Sequence, residues 1–121
     1  MNNYINSEKN IHTRINKFVV SCFVNIVRKI PKHTENTRII QQISASLTSI
    51  GANDQEADAT DSVKDFVAKY KIVKKEAKET EYWLRFLKDT EILPNDLLDS
   101  YIKESHEILL IISKIIINSS K

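Results

Sequence analysis

Apolar positions recur along this chain at three- and four-residue steps in four separate stretches, the period of a helix with one buried face. Over residues 13–30 the series is Ile15, Phe18, Val19, Cys22, Phe23, Ile26 and Ile30. Pro31 ends it, because proline lacks the amide hydrogen that the next turn needs. Over 36–57 the series is Ile39, Ile43, Leu47, Ile50 and Ala57; over 62–90 it is Phe66, Tyr70, Val73, Ala77, Thr80, Leu84 and Leu87. The fourth begins near Pro94 and runs to about residue 118 through Leu97, Leu98, Tyr101, Ile102, Ile108, Leu109, Ile112 and Ile116. Short connections favour antiparallel neighbours. The pattern therefore predicts an all-α fold, an antiparallel up-down-up-down four-helix bundle over residues 13–119. Residues 1–12 carry no sustained period and read as a flexible lead-in.

The polar positions are patterned too. Beside the apolar stripe of the second helix, Arg38, Gln42, Ser46, Ser49, Asn53 and Glu56 follow one another at the helical period. Most are small and uncharged, unlike a solvated face rich in Lys and Glu, so Ser46, Ser49 and Asn53 are expected to be buried and hydrogen-bonded. Gly51 lies inside this helix at a cost of about 1 kcal/mol relative to alanine, which predicts close approach by another backbone. In the third helix Lys64, Lys71, Lys78 and Arg85 recur every seven residues, with Lys74, Lys75 and Lys88 beside them. They form a basic stripe pointing away from the core. A further sector holds Asp65, Ile72, Glu76, Glu79 and Trp83, an exposed tryptophan among carboxylates that suits a contact surface. Arg38 and Gln42 are candidate partners for Glu76 and Glu79 across the seam. Between residues 108 and 117 the fourth helix is apolar on more sides than one core requires, which predicts burial against another subunit.

A length of 121 residues suits one domain, and one Gly and two Pro suit long unbroken helices. The net charge of +2 is too small to decide on nucleic acid, so the placement of charge must. Cys22 is the lone cysteine and sits on an apolar face, where it serves as a small hydrophobe. It allows no intramolecular disulfide, which fits a cytoplasmic location. The polar first ten residues have no signal-peptide core, and the apolar run 108–117 is too short to span a bilayer. No membrane partner is expected.

Candidate chemistry is sparse. A di-metal carboxylate bundle needs Glu-x-x-His, and the nearest approach is Glu104-Ser105-His106. His12, His33 and His106 are scattered, and Ser46 and Ser49 have no histidine in reach by pattern. Glu76 and Glu79 on a lysine-rich helix suit ion pairing better than acid–base work. There is no phosphate-cradling glycine loop and no zinc spacing. The expectation is a non-enzymatic protein with no catalytic residue, metal, cofactor or small-molecule substrate.

Two motifs, TSIGANDQEA (48–57) and DFVAKYKIVKKEAKETEYWLRFL (65–87), resemble the four-helix-bundle proteins encoded by intervening sequences in bacterial 23S rRNA genes, also called the S23 ribosomal protein family. Matching positions are Gln42, Ser46, Ser49, Ile50, Gly51, Ala52, Asn53, Glu56 and Ala57. On the third helix they are Asp65, Phe66, Lys69, Lys75, Glu76, Glu79, Thr80, Trp83 and Leu84. The resemblance covers roughly residues 14 to 118. It implies a homo-oligomer, typically a ring of five bundles, with no settled enzymatic activity. A similar bundle is the accessory protein of diversity-generating retroelements, which binds a reverse transcriptase and nucleic acid through a basic surface. This chain departs from the pattern at Ala45, where the family commonly has Arg, and at Leu47, where it often has Gly. Two expectations follow: an oligomeric accessory factor that binds RNA, or a nucleic-acid enzyme, through the basic stripe; or a homo-oligomeric interaction scaffold with no nucleic-acid role.

Overall fold

The computed structural model describes residues 3–119, with side chains from Ile11 onward. Four helices pack together: α1 (Asn3–Asn25), α2 (Thr37–Ala57), α3 (Val63–Asp89) and α4 (Asn95–Ser119). Two short 3₁₀ turns, Val27–Lys29 and Thr34–Asn36, carry the chain from α1 to α2. Among the described residues there is no strand, as the apolar periods require. Among the described residues no helix is long and apolar enough to cross a membrane.

Two boundaries differ from the sequence reading. The first helix begins at Asn3 rather than near residue 13, so most of the expected lead-in is helical. Ile11, four residues before Ile15, continues the apolar stripe and is buried. The same helix ends at Asn25 and tightens into the 3₁₀ turn before Pro31. There the Asn36 amide donates to the Pro31 carbonyl at 2.8 Å, which holds the entry to α2.

Local chemistry sets the ends of α3. Ser62 is extended, and its hydroxyl accepts the Asp65 amide at 3.1 Å, a side-chain cap that satisfies one of the helix's unpaired first-turn donors. At the far end Glu91 has φ 58°, the left-handed region. The amides of Glu91 and Ile92 then donate back to the carbonyls of Lys88 and Leu87 at 3.0 and 3.1 Å and close the helix.

α3 is the central element, packing extensively against both α2 and α4, while α1 lies less closely on its neighbours. The core is built from the faces the periods mark: Ile15, Cys22, Ile43, Leu47, Ile50, Tyr70, Val73, Leu84, Leu87, Leu98 and Ile112 are fully enclosed. Phe66, Leu97 and Tyr101 sit only half in it, while Val67, Leu93 and Ile115 are drawn inward beside them. Burial pushes the Cys22 thiol up to about 12, so it packs as an inert hydrophobe.

Gly51 corrects an expectation. A methyl group built there would meet the Val19 side chain at 3.6 Å, an ordinary contact. Among the described residues of this chain, what approaches Gly51 is a side chain of α1, with room for alanine, and no backbone. The excess of apolar residues on α4 is visible: Leu110 and Ile117 point outward, 55% and 60% exposed.

Candidate functional site

The outward face of α3 gathers the basic side chains. At about 100° per residue, Lys64, Lys71, Lys74, Lys75, Lys78 and Arg85 fall within about 100° of arc, and all are exposed. Lys88 lies at the edge, half-buried, and is tied to Asp99 of α4 at 2.8 Å. Arg85 is held by Glu81 one turn away at 3.1 Å. The other five lysines have no carboxylate within 4.0 Å among the described residues. Five charges therefore face solvent unpaired. Tyr82, which the sequence reading passed over, stands in the same arc and is 56% exposed. Its signal was there: four residues after Lys78 and three before Arg85, where helix neighbours meet.

The seam between α2 and α3 is only partly buried in one chain. Ser46 is fully enclosed, its hydroxyl 2.9 Å from that of Thr80 and 3.2 Å from the Ile43 carbonyl. Ser49 and Asn53 are half-buried and bond within α2: the Asn53 amide donates to the Ser49 carbonyl and hydroxyl at 2.9 and 3.1 Å. Gln42 is half-buried, whereas Arg38 and Glu56 are exposed. Glu56 accepts from Lys69 of α3 at 3.0 Å.

Glu76 and Glu79 are half-buried, and neither Arg38 nor Gln42 hydrogen-bonds or ion-pairs with them among the described residues. Burial raises the Glu76 carboxyl, the neighbouring Glu79 charge raises it further, and Lys75 opposes both. Trp83 is half-buried against the core rather than exposed, and its indole N–H is shielded from solvent with no partner among the described residues. Its ring meets Tyr82 edge-on at 5.0 Å and Phe86 at 5.8 Å.

Three polar clusters that the periods did not announce tie the helices together. His12 of α1 bonds through Nδ1 to Asp54 of α2 at 2.7 Å and through Nε2 to Asp58 at 3.0 Å. The Tyr70 hydroxyl of α3 donates to the same Asp54 oxygen at 3.0 Å. Burial raises the Asp54 carboxyl; the charge and hydrogen bond of His12 and the bond from Tyr70 act against it. Arg14 reaches Glu104 of α4 with two bonds of 2.7 Å and also Glu107. Glu81 accepts from Arg85 and lies 3.1 Å from His106 of α4.

Asp54 and Glu81 occupy apolar positions of their helices' periods, Asp54 four residues after Ile50 and Glu81 four after Ala77. A charge at such a position was the readable signal. The two aspartates sit on opposite ring nitrogens of His12 and share no point where an ion could meet all three. Among the described residues no group of three such side chains is arranged to hold a metal.

Compared with known proteins, residues 8–114 match the family model of the 23S rRNA-intervening sequence protein. A solved structure from Bacteroides thetaiotaomicron, of a protein with unknown function from the S23 ribosomal protein family, is 34% identical. The alignment covers 91% of this chain and 97% of that one, with a TM-score of 0.82. No curated protein matches the chain.

Proposed function

The chain belongs to the 23S rRNA-intervening sequence protein family, and from that premise we propose that it is a non-enzymatic, homo-oligomeric accessory protein that binds RNA through the outer face of α3. The observation that carries this reading is the set of five exposed lysines, Lys64, Lys71, Lys74, Lys75 and Lys78, free of ion pairs among the described residues along one helix face. Nucleic-acid backbones bind where cationic side chains replace condensed counterions, and each neutralised phosphate adds to affinity by releasing them. Ala45 is exposed on α2 and brings no charge, so the basic surface of this member rests on α3. Repetition around an assembly of identical subunits would turn each stripe into part of a band far stronger than a net charge of +2 suggests. Nothing on the face offers a bidentate fork to base edges beyond Arg85, already held by Glu81, so recognition follows charge and shape rather than sequence.

The test is binding of labelled RNA by the purified protein across a salt series. Affinity should fall steeply as salt rises. The triple substitution Lys71→Glu, Lys74→Glu and Lys78→Glu should abolish binding while leaving helical content intact, because surface changes usually stay within about 0.5 kcal/mol each. Absence of binding at low salt, or binding that survives the triple change, overturns the proposal.

A further inference from the structure

We infer that the basic face carries a base-stacking platform at Tyr82, so that its ligand is single-stranded RNA, with unstacked bases, rather than duplex. This rests on the RNA-binding reading above and narrows it. Tyr82 is the one Phe, Tyr or Trp ring among the described residues that is exposed, 56% open, and it lies in the same arc as the lysines. Lys78 lies one turn before it and Lys75 two turns before, both without ion pairs. A ring so placed is flanked by charges that would hold a phosphate backbone while a base lies on the ring's open face.

The ring is also braced. Trp83 meets it edge-on at 5.0 Å with planes at 75°, and Phe86 lies at 6.3 Å on the following turn. Trp83 and Phe86 are themselves packed on the core, so Tyr82 stands on a fixed aromatic base. A ring held in place before binding loses little freedom when a base stacks on it. Proteins that bind single strands combine a basic track with such rings, and every base has a face to offer. In a duplex those faces are covered by neighbouring base pairs, and a ring on a convex helix cannot reach between them without unstacking. The lysines would serve either ligand; the exposed tyrosine serves only the single strand.

The experiment compares a labelled single-stranded RNA 12-mer of mixed sequence with an RNA duplex of equal length, at low salt. The proteins are wild type, Tyr82→Leu and Tyr82→Trp, with oligomeric mass and helical content checked for each. Tyr82→Leu should weaken single-strand binding by at least about fivefold, the lower end of what one base–aromatic stack contributes. It should leave duplex binding within about twofold, and Tyr82→Trp should keep single-strand affinity. Trp83, the sole tryptophan, supplies a second readout, because a base settling on its neighbour should change its emission with the single strand and not in Tyr82→Leu. Equal effects of Tyr82→Leu on both ligands, or none, overturn the platform while the basic-face reading stands. A fall in oligomeric mass in Tyr82→Leu overturns it too, since the ring would then be a subunit contact. Failure of wild type to bind either RNA overturns both.

Discussion

Glu81 is a carboxylate at a core position of α3, and its partners decide what it does. Burial would raise it, but hydrogen bonds from Arg85 and His106, with their charges, outweigh burial and hold it below the ordinary carboxylate value. A group depressed on folding stabilises the fold above its unfolded value, near 4.3 for glutamate, and that contribution is lost as pH falls through the folded value. Asp54 and Glu76 act in the opposite sense, since burial raises both, so their share of stability declines as pH rises through the raised values. Substituting Glu81 separates the two. Glu81→Gln should cost about 1 kcal/mol at pH 7, modest because Arg85 is largely exposed, and should make the stability loss on acidification shallower than in wild type. Denaturant midpoints at pH 7 and pH 4 for both proteins measure this. An unchanged acid slope in the variant would show that Glu81 is not among the groups responsible.

The turn between α3 and α4 depends on Glu91, a non-glycine residue with φ 58°. An L side chain in that region is strained by about 1 kcal/mol, which glycine avoids. Glu91→Gly should therefore stabilise the fold by up to about 1 kcal/mol, read as a higher denaturant midpoint with an unchanged slope; a lower midpoint would contradict it. This site illustrates the limits of reading elements from a sequence. The third apolar period stops at Leu87 and Pro94 follows, so a helix end was legible, but glutamate gives no sign that it will adopt the left-handed conformation. In the same way Ser46 was legible as buried because it borders the apolar stripe, whereas its neighbour in space, Thr80 on α3, lies 34 residues away. The links from His12 to Asp54 and from Arg14 to Glu104 span 42 and 90 residues, and a period fixes which face of a helix is inward without fixing what stands opposite. Ile11 is the miss that the pattern alone could have prevented, since it continues the stripe of Ile15 by one turn. The basic face was fully legible as a stripe; the tie of Arg85 to Glu81 lies within α3 at a four-residue spacing, and only the loss of Lys88 to Asp99 required the packing of α3 and α4.

At the scale of the whole molecule, one bundle leaves apolar surface uncovered. Leu110 and Ile117 lie on the outer side of α4, Val20 and Val24 on the outer side of α1, and Ile72 beside Glu76 on α3. Among the described residues the Trp83 indole N–H and one Asp54 oxygen are shielded with no partner. Groups of this kind gain from a second copy, which covers apolar area and offers donors and acceptors. The expectation is a homo-oligomer, with a ring of five the specific forecast: light scattering should give five times the 14.0 kDa of one chain at micromolar concentration. Leu110→Glu with Ile117→Glu should lower that mass without loss of helical signal, since both side chains are already exposed in one chain. A mass of 14.0 kDa for the wild-type protein would sink the assembly and weaken the function with it. On the proposed reading, five lysines on one face would bind phosphate weakly, and several faces held at fixed spacing would bind one strand far better, because each engaged face raises the effective concentration of the next. On this account the double α4 variant should also lose most of its affinity for long RNA while keeping that for a 12-mer, a difference that separates loss of assembly from damage to the lysine face itself.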